Sequence, residues 1–307
     1  MDALPKGRAE RRGPFLVPPE PLLPGIAGLR AEAGFPAAFW IIIDRYLRIH
    51  SGSLITKLVV SDARYWVTQM IMAMHGEYVT GLEESRLTVS ALVRRAQGLP
   101  VAGISRGQVV SLVGIMRARG RLLPAPGEEG RRDARLVPSA GMLREQIGRT
   151  ALHFEAVDAI FPDRGHVARL RADPQFYFAT ERIRGATLEQ WGNPLRHFPA
   201  LAGVIKHDAC YTVLACLMMA AGGRPGMPPP GPCALPYGEV AARIGASRTQ
   251  VRRVVQMLAG AGLVGVSGRG GAGIEVTPAL IDMLADFHAL RLLRFDHMAQ
   301  QAALTRR

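Results

Sequence analysis

Ser247-Arg248-Thr249-Gln250-Val251 repeats Ser105-Arg106-Gly107-Gln108-Val109 at an offset of 142 residues. In both places a serine stands three residues ahead of a glutamine. The hydroxyl can accept from a backbone N–H in the first turn while the glutamine reaches back, a reciprocal cap that starts a helix. Behind the second cap, Val251, Val254, Val255 and Leu258 recur at i, i+3, i+4 and i+7 as one apolar stripe. Val109, Leu112, Val113 and Met116 take the matching places behind the first. Ahead of the second cap, Tyr237 to Ile244 reads as a short helix carrying Val240, Ala241 and Ile244, closed by Gly245-Ala246. Helix, tight turn and capped helix make a helix-turn-helix.

Working outward, Gly262 is followed by Leu263-Val264-Gly265-Val266, a Gly-Arg-Gly-Gly-Ala-Gly tip, and Ile274-Glu275-Val276-Thr277. Two β-rich runs around a glycine tip predict a hairpin, the wing of a winged helix. The first copy offers Arg121-Leu122-Leu123, a polar loop from Pro126 to Asp133, and Arg135-Leu136-Val137, a wing longer by about two residues. The repetition extends to both sides. Asp62-Ala63-Arg64-Tyr65-Trp66-Val67 returns as Asp208-Ala209-Cys210-Tyr211-Thr212-Val213 at an offset of 146, and Met142-Leu143 returns as Met283-Leu284 at 141. Three matches in one order with drifting offsets predict a duplicated unit whose connecting loops changed length.

The bulk properties fit this reading. A chain of 307 residues is long enough for two domains, and 48% hydrophobic residues supply their cores. Lys plus Arg number 38 against 25 acids, a formal charge of +13 that favours a polyanionic partner. Cys210, Cys216 and Cys233 make no disulfide framework and read as small hydrophobes in a reducing compartment. No apolar run reaches the length of a membrane span. Residues 1–36, interrupted by prolines and without a signal-peptide core, read as a flexible leader, so a cytoplasmic protein is expected.

The chemistry lies on the capped helices. If their apolar stripes face the core, Arg248, Thr249, Arg252, Arg253 and Gln256 point outward in the second copy, with Ser247 and Gln250 at the cap. Arginine grips guanine O6 and N7 with two bonds, and glutamine does the same with adenine. In the first copy the outward set is Arg106, Gly107, Val110, Ser111, Gly114 and Arg117, with Ser105 and Gln108 at the cap. That face is poorer in donors, so the second copy is expected to be the stronger reader. Arg131, Arg132 and Arg135 in the first wing, and Arg269 at the tip of the second, are placed to reach phosphates or the minor groove. Gly268-x-Gly270-x-x-Gly273 matches a dinucleotide fingerprint but precedes a strand rather than a helix, so it reads as a flexible wing tip. His207 and Cys210 are too few for a metal site, and no nucleophile or metal-hydrolase motif is present. No catalysis, metal or cofactor is expected.

The segment from Ser105 through Gly141 resembles the MarR family of transcriptional regulators. That family continues from its capped helix into an arginine-rich wing, a valine-containing return strand and a new helix start. Here that run reads Arg131-Arg132-Asp133-Ala134-Arg135-Leu136-Val137-Pro138-Ser139-Ala140-Gly141, with the family's Asp-x-Arg wing pair exchanged to Arg131-x-Asp133. The resemblance covers roughly residues 60–160 and, more loosely, 207–303. It implies double-stranded DNA as partner, a small-molecule effector as a second one (with Met70, Met72, Met74, Met218 and Met219 as pocket or as plain core), and terminal helices that pair two units. The expected fold is mainly α with small β-wings: two tandem winged helix-turn-helix domains, residues 37–165 and 194–307, joined by a connector at 166–193. The two units are expected to pack as an intramolecular pseudo-dimer, the chain being a monomer of that kind or a homodimer. The function read from this is sequence-specific transcriptional regulation. Two alternatives stand beside it: a plasmid replication initiator, which would recognise direct repeats, and a winged-helix protein-interaction scaffold, which would bind DNA weakly.

Overall fold

Both serine caps form, and the elements around them can be followed from there. The computed structural model describes residues 20–50, 62–82, 84–98, 104–205 and 209–305. Within these the chain is mainly helical with two small antiparallel sheets. The first half runs α1 (Gly25–Ala31), α2 (Phe35–His50), α3 (Asp62–Val79), α4 (Val89–Gly98), α5 (Arg106–Ala118), the hairpin β1 (Leu122–Pro124) and β2 (Leu136–Pro138), and α6 (Ala140–Ile160). The second runs α7 (His166–Ala172), α8 (Pro174–Trp191), α9 (Pro199–Ile205), α10 (Cys210–Ala221), β3 (Gly231–Cys233), α11 (Tyr237–Ile244), α12 (Arg248–Gly260), β4 (Val264–Val266), β5 (Ile274–Val276) and α13 (Pro278–Leu304).

Residues 166–193 are therefore not a bare connector: they form α7 and α8. The reason lies in a further repeat. Leu29-Arg30-Ala31-Glu32 returns as Leu170-Arg171-Ala172-Asp173, followed in step by Phe35/Phe176, Ala38/Ala179, Ile42/Ile183 and Leu47/Leu188, all at an offset of 141. The repeated unit thus begins at α1, so residues 25–36, expected in the leader, form α1 and the start of α2 instead. Helix contacts match pairwise when the halves are exchanged. Helix α2 packs on α6 as α8 packs on α13, α1 on α13 as α7 on α6, and α2 on α10 as α8 on α3, while α6 meets α13 directly. Each half's leading helices therefore lie against the other half.

The packing explains the all-round apolar helices. Phe35, Ala38 and Ile42 of α2 enter one core, and Phe39, Trp40, Ile43 and Leu47 enter the other. Helix α13 likewise gives Leu280, Leu284 and Phe287 to the second core and Leu292, Phe295 and Met298 to the first. A helix between two cores needs no polar face. The α3–α8 crossing is close because Gly76 stands there: a Cβ would lie 2.7 Å from the Phe178 carbonyl oxygen. Met70, Met72, Met74 and Met218 are buried core. Cys210 and Cys216 are buried and Cys233 half-buried, all free thiols, with burial pushing Cys210 up to about 12.

Two registers differ from expectation. Ser139 and Thr277 are equivalent caps, accepting from Met142 N and Leu280 N, so α6 and α13 correspond at an offset of 138 rather than 141. A slip of three residues is nearly one helical turn, which leaves the apolar face in place and makes the false match plausible. The hairpin loops, residues 125–135 and 267–273, differ by four residues rather than two.

The interface between halves carries buried polar groups. Arg184 of α8 bonds Gln69 of α3 and Thr150 of α6 and sits 3.1 Å from Glu181, whose pKa burial raises. His153 of α6 stacks on Phe295, donates from Nδ1 to the Arg149 carbonyl at 2.8 Å, and accepts from Arg291 at 2.7 Å. Burial first, and the Arg291 charge second, hold His153 well below its usual pKa. A ring kept neutral in the fold and charged in the unfolded chain stabilises above the unfolded value of about 6.5, and that stability is lost as pH falls below it. His153→Gln keeps both hydrogen bonds without the proton. Urea midpoints of wild type and variant should therefore converge as pH drops from 7 to 5, by up to about 1.4 kcal/mol per pH unit. Parallel curves would show that His153 is not the group that titrates.

Candidate nucleic-acid interface

Helix α12 owes its geometry to its cap. Ser247 Oγ accepts from Gln250 N at 3.1 Å, and the preceding turn passes through Gly245 at φ +64°. Val251, Val254, Val255 and Leu258 are buried, which turns Arg248, Thr249, Arg252, Arg253 and Gln256 to solvent as the stripe requires. Arg248 lies back over α11, where a Cβ on Gly238 would come within 3.0 Å of its Nε. Together with Tyr237, Thr249, Arg252 and Gly270 it borders an open groove of about 590 Å³.

The hairpin tip closes the end of that groove and is tied by two backbone hydrogen bonds to the start of α11 and the residues just before it. Leu235 N donates to the Gly271 carbonyl at 2.8 Å and Tyr237 N to that of Gly270 at 3.1 Å. Gly271, at φ +91°, could carry no side chain, since a Cβ would lie 1.9 Å from the Leu235 carbonyl oxygen. Arg269 stays exposed at the tip. A third strand, β3, pairs with β5 through Gly231↔Val276 and Cys233↔Ile274, and sequence reasoning did not foresee it. Its counterpart in the first half is a single bond, Leu136 N to the Leu87 carbonyl at 2.7 Å.

Helix α5 has both halves of the box, Gln108 N to Ser105 Oγ at 3.2 Å and Ser105 N to Gln108 Oε1 at 2.8 Å, so these two side chains serve the cap. Arg106, Ser111 and Arg117 are exposed on its outer face. Neither α5 nor α12 contains an acidic residue. In the first hairpin loop Arg131 and Arg132 are exposed, whereas Arg135 is only partly exposed. Its guanidinium covers the Tyr78 ring at 4.4 Å, its side chain is 19% exposed, and its backbone N–H donates to Glu128 Oε2 at 2.7 Å. That N–H, followed by Arg86, Arg131 and Arg135, holds the Glu128 carboxyl below its ordinary value. Asp133 accepts from the Ser90 hydroxyl at 2.6 Å, and Glu128 rather than Asp133 pairs with an arginine, Arg86, at 2.8 Å. Packing of Arg135 on Tyr78 also leaves His75 beside a cation, and burial with that charge lowers it to about 4.

Among the described residues no cluster of three or more His, Cys, Asp or Glu side chains could hold a metal, and His207 lies outside them. No single described helix is long and apolar enough to cross a membrane. Comparison with protein-family models, with curated proteins and with solved structures returned no match.

Proposed function

We propose that this chain is a sequence-specific regulator of transcription that binds double-stranded DNA through two winged-helix units joined as an intramolecular pseudo-dimer. The observation that carries the reading is the outer face of α12, where Arg252, Arg253 and Gln256 stand exposed on a capped helix whose other face is buried. The N-terminal part of such a helix enters the major groove, where arginine and glutamine discriminate base pairs. Three further observations support it. Helix, helix, capped helix and hairpin recur in both halves, the helix contacts interchange between halves, and both capped helices lack carboxylates that would repel phosphates. In this scheme α12 supplies most of the specificity, while Arg106, Arg117, Arg131 and Arg132 add phosphate contacts.

The test is selection of duplexes from a random library by the purified full chain at several salt concentrations. A recovered motif, with affinity lowered about tenfold to hundredfold and relaxed at defined positions in Arg252→Ala/Arg253→Ala, is the expected result. Absence of both a motif and salt-dependent binding would overturn the proposal.

A further inference from the structure

The two capped helices do not present the same chemistry, and the difference is confined to the outer face. At the offset of 142 that aligns them, Val110, Ser111 and Gly114 occupy the positions of Arg252, Arg253 and Gln256. Val110 is 44% exposed, one of four large apolar side chains among the described residues left so open. A Cβ at Gly114 would meet nothing within 4 Å, so the fold places no demand on that glycine. A helix interior otherwise disfavours both an exposed glycine and an exposed valine relative to alanine. The missing Cβ lowers the profile of the helix and lets it approach a flat surface closely. Arg106 and Arg117 bracket the patch on the same exposed face, and the helix holds no acid, so the surface that fits is apolar at its centre and anionic at its edges. The major groove has that form where thymine C5-methyl groups line it between two phosphate backbones.

We infer that α5 reads thymine methyl groups through Val110, so that the chain recognises a composite site with one half read by arginine and the other by methyl contact. This rests on the DNA-binding reading above and would fall with it. One methyl group removed from water is worth about fourfold in affinity. The probe is a duplex recovered by selection from the random library, resynthesised with deoxyuridine for thymidine in one half or the other. In wild type, substitution in one half lowers affinity about threefold to tenfold and in the other leaves it unchanged. Val110→Ala abolishes that penalty while keeping the full penalty of 7-deazaguanine in the opposite half. Gly114→Ala raises the melting temperature yet weakens binding. If deoxyuridine is tolerated in both halves, or its penalty survives Val110→Ala, the inference is wrong while DNA binding stands. If no duplex is recovered, both readings fall.

Discussion

Glu20→Ala destabilises the full chain by about 3–5 kcal/mol, the range for removing one partner of a buried ion pair. The Glu20 side chain is fully enclosed and accepts from Arg294 Nε at 2.5 Å and Nη2 at 2.6 Å, with His197 Nε2 at 3.0 Å. Arg294 is itself buried, and its remaining Nη1 donates to the Gly192 carbonyl at 2.9 Å. Without the carboxylate a guanidinium stays out of water with one carbonyl and the distant face of Trp191, 5.9 Å away, as company. The cost reaches both cores because Arg294 sits on α13, the helix that passes from one into the other. The pair itself need not contribute net stability, since desolvation offsets much of its attraction. Glu20→Leu/Arg294→Met should accordingly lie closer to wild type than either single change. A urea midpoint for Glu20→Ala corresponding to less than about 1 kcal/mol would show that the pair is solvated in solution.

That ion pair was invisible beforehand because nothing within a proline-rich stretch marks a glutamate 274 residues from its partner. Local signals are legible in the sequence. The Ser-x-x-Gln caps and the stripes behind them depend on neighbours three and four residues away, and Val251, Val254, Val255 and Leu258 are buried as their spacing requires. What depends on distant partners was missed. Helix α8 hides its apolar periodicity because Glu181 and Arg184 are buried in it, where they bond to α3, α6 and each other. Strand β3 is Gly-Pro-Cys, without a β-branched residue, and exists because β5 offers an edge. Arg135 looked like a free wing cation until Tyr78, from α3, came to lie beneath it. On the candidate interface the outer residues of α5 and α12 follow from the stripes alone, whereas the groove between α11, α12 and the tip requires the Gly271 and Gly270 carbonyls to be tied to Leu235 and to Tyr237 at the start of α11.

The same tie makes Gly271→Ala the second large effect, and a local one. A methyl group there would sit 1.9 Å from the Leu235 carbonyl oxygen and 2.7 Å from its carbon, both backbone atoms that cannot rotate away. The residue would also keep φ +91°, at a cost of about 1–2 kcal/mol for an L side chain. Relief requires the tip to lift, which breaks the bonds from Leu235 N and Tyr237 N at about 1 kcal/mol each. The tip should thus lose the closure those two bonds supply, about 2 kcal/mol, enough to raise its opening about thirtyfold. Gly130→Ala isolates the conformational part, because that glycine also has positive φ, at +80°, but a Cβ there would meet nothing within 4 Å. Amide exchange at Leu235 and Tyr237 should accelerate strongly in Gly271→Ala, with the amides of α13 unaffected, and Gly130→Ala should leave Leu235 and Tyr237 unchanged. If the tip presents Arg269 to a phosphate, as the sequence leads one to expect, Gly271→Ala should also flatten the dependence of affinity on salt by about one phosphate contact. Equal exchange in the two variants would mean that the tip is already open in solution, and the groove beside Arg248 and Arg252 would then lack its wall.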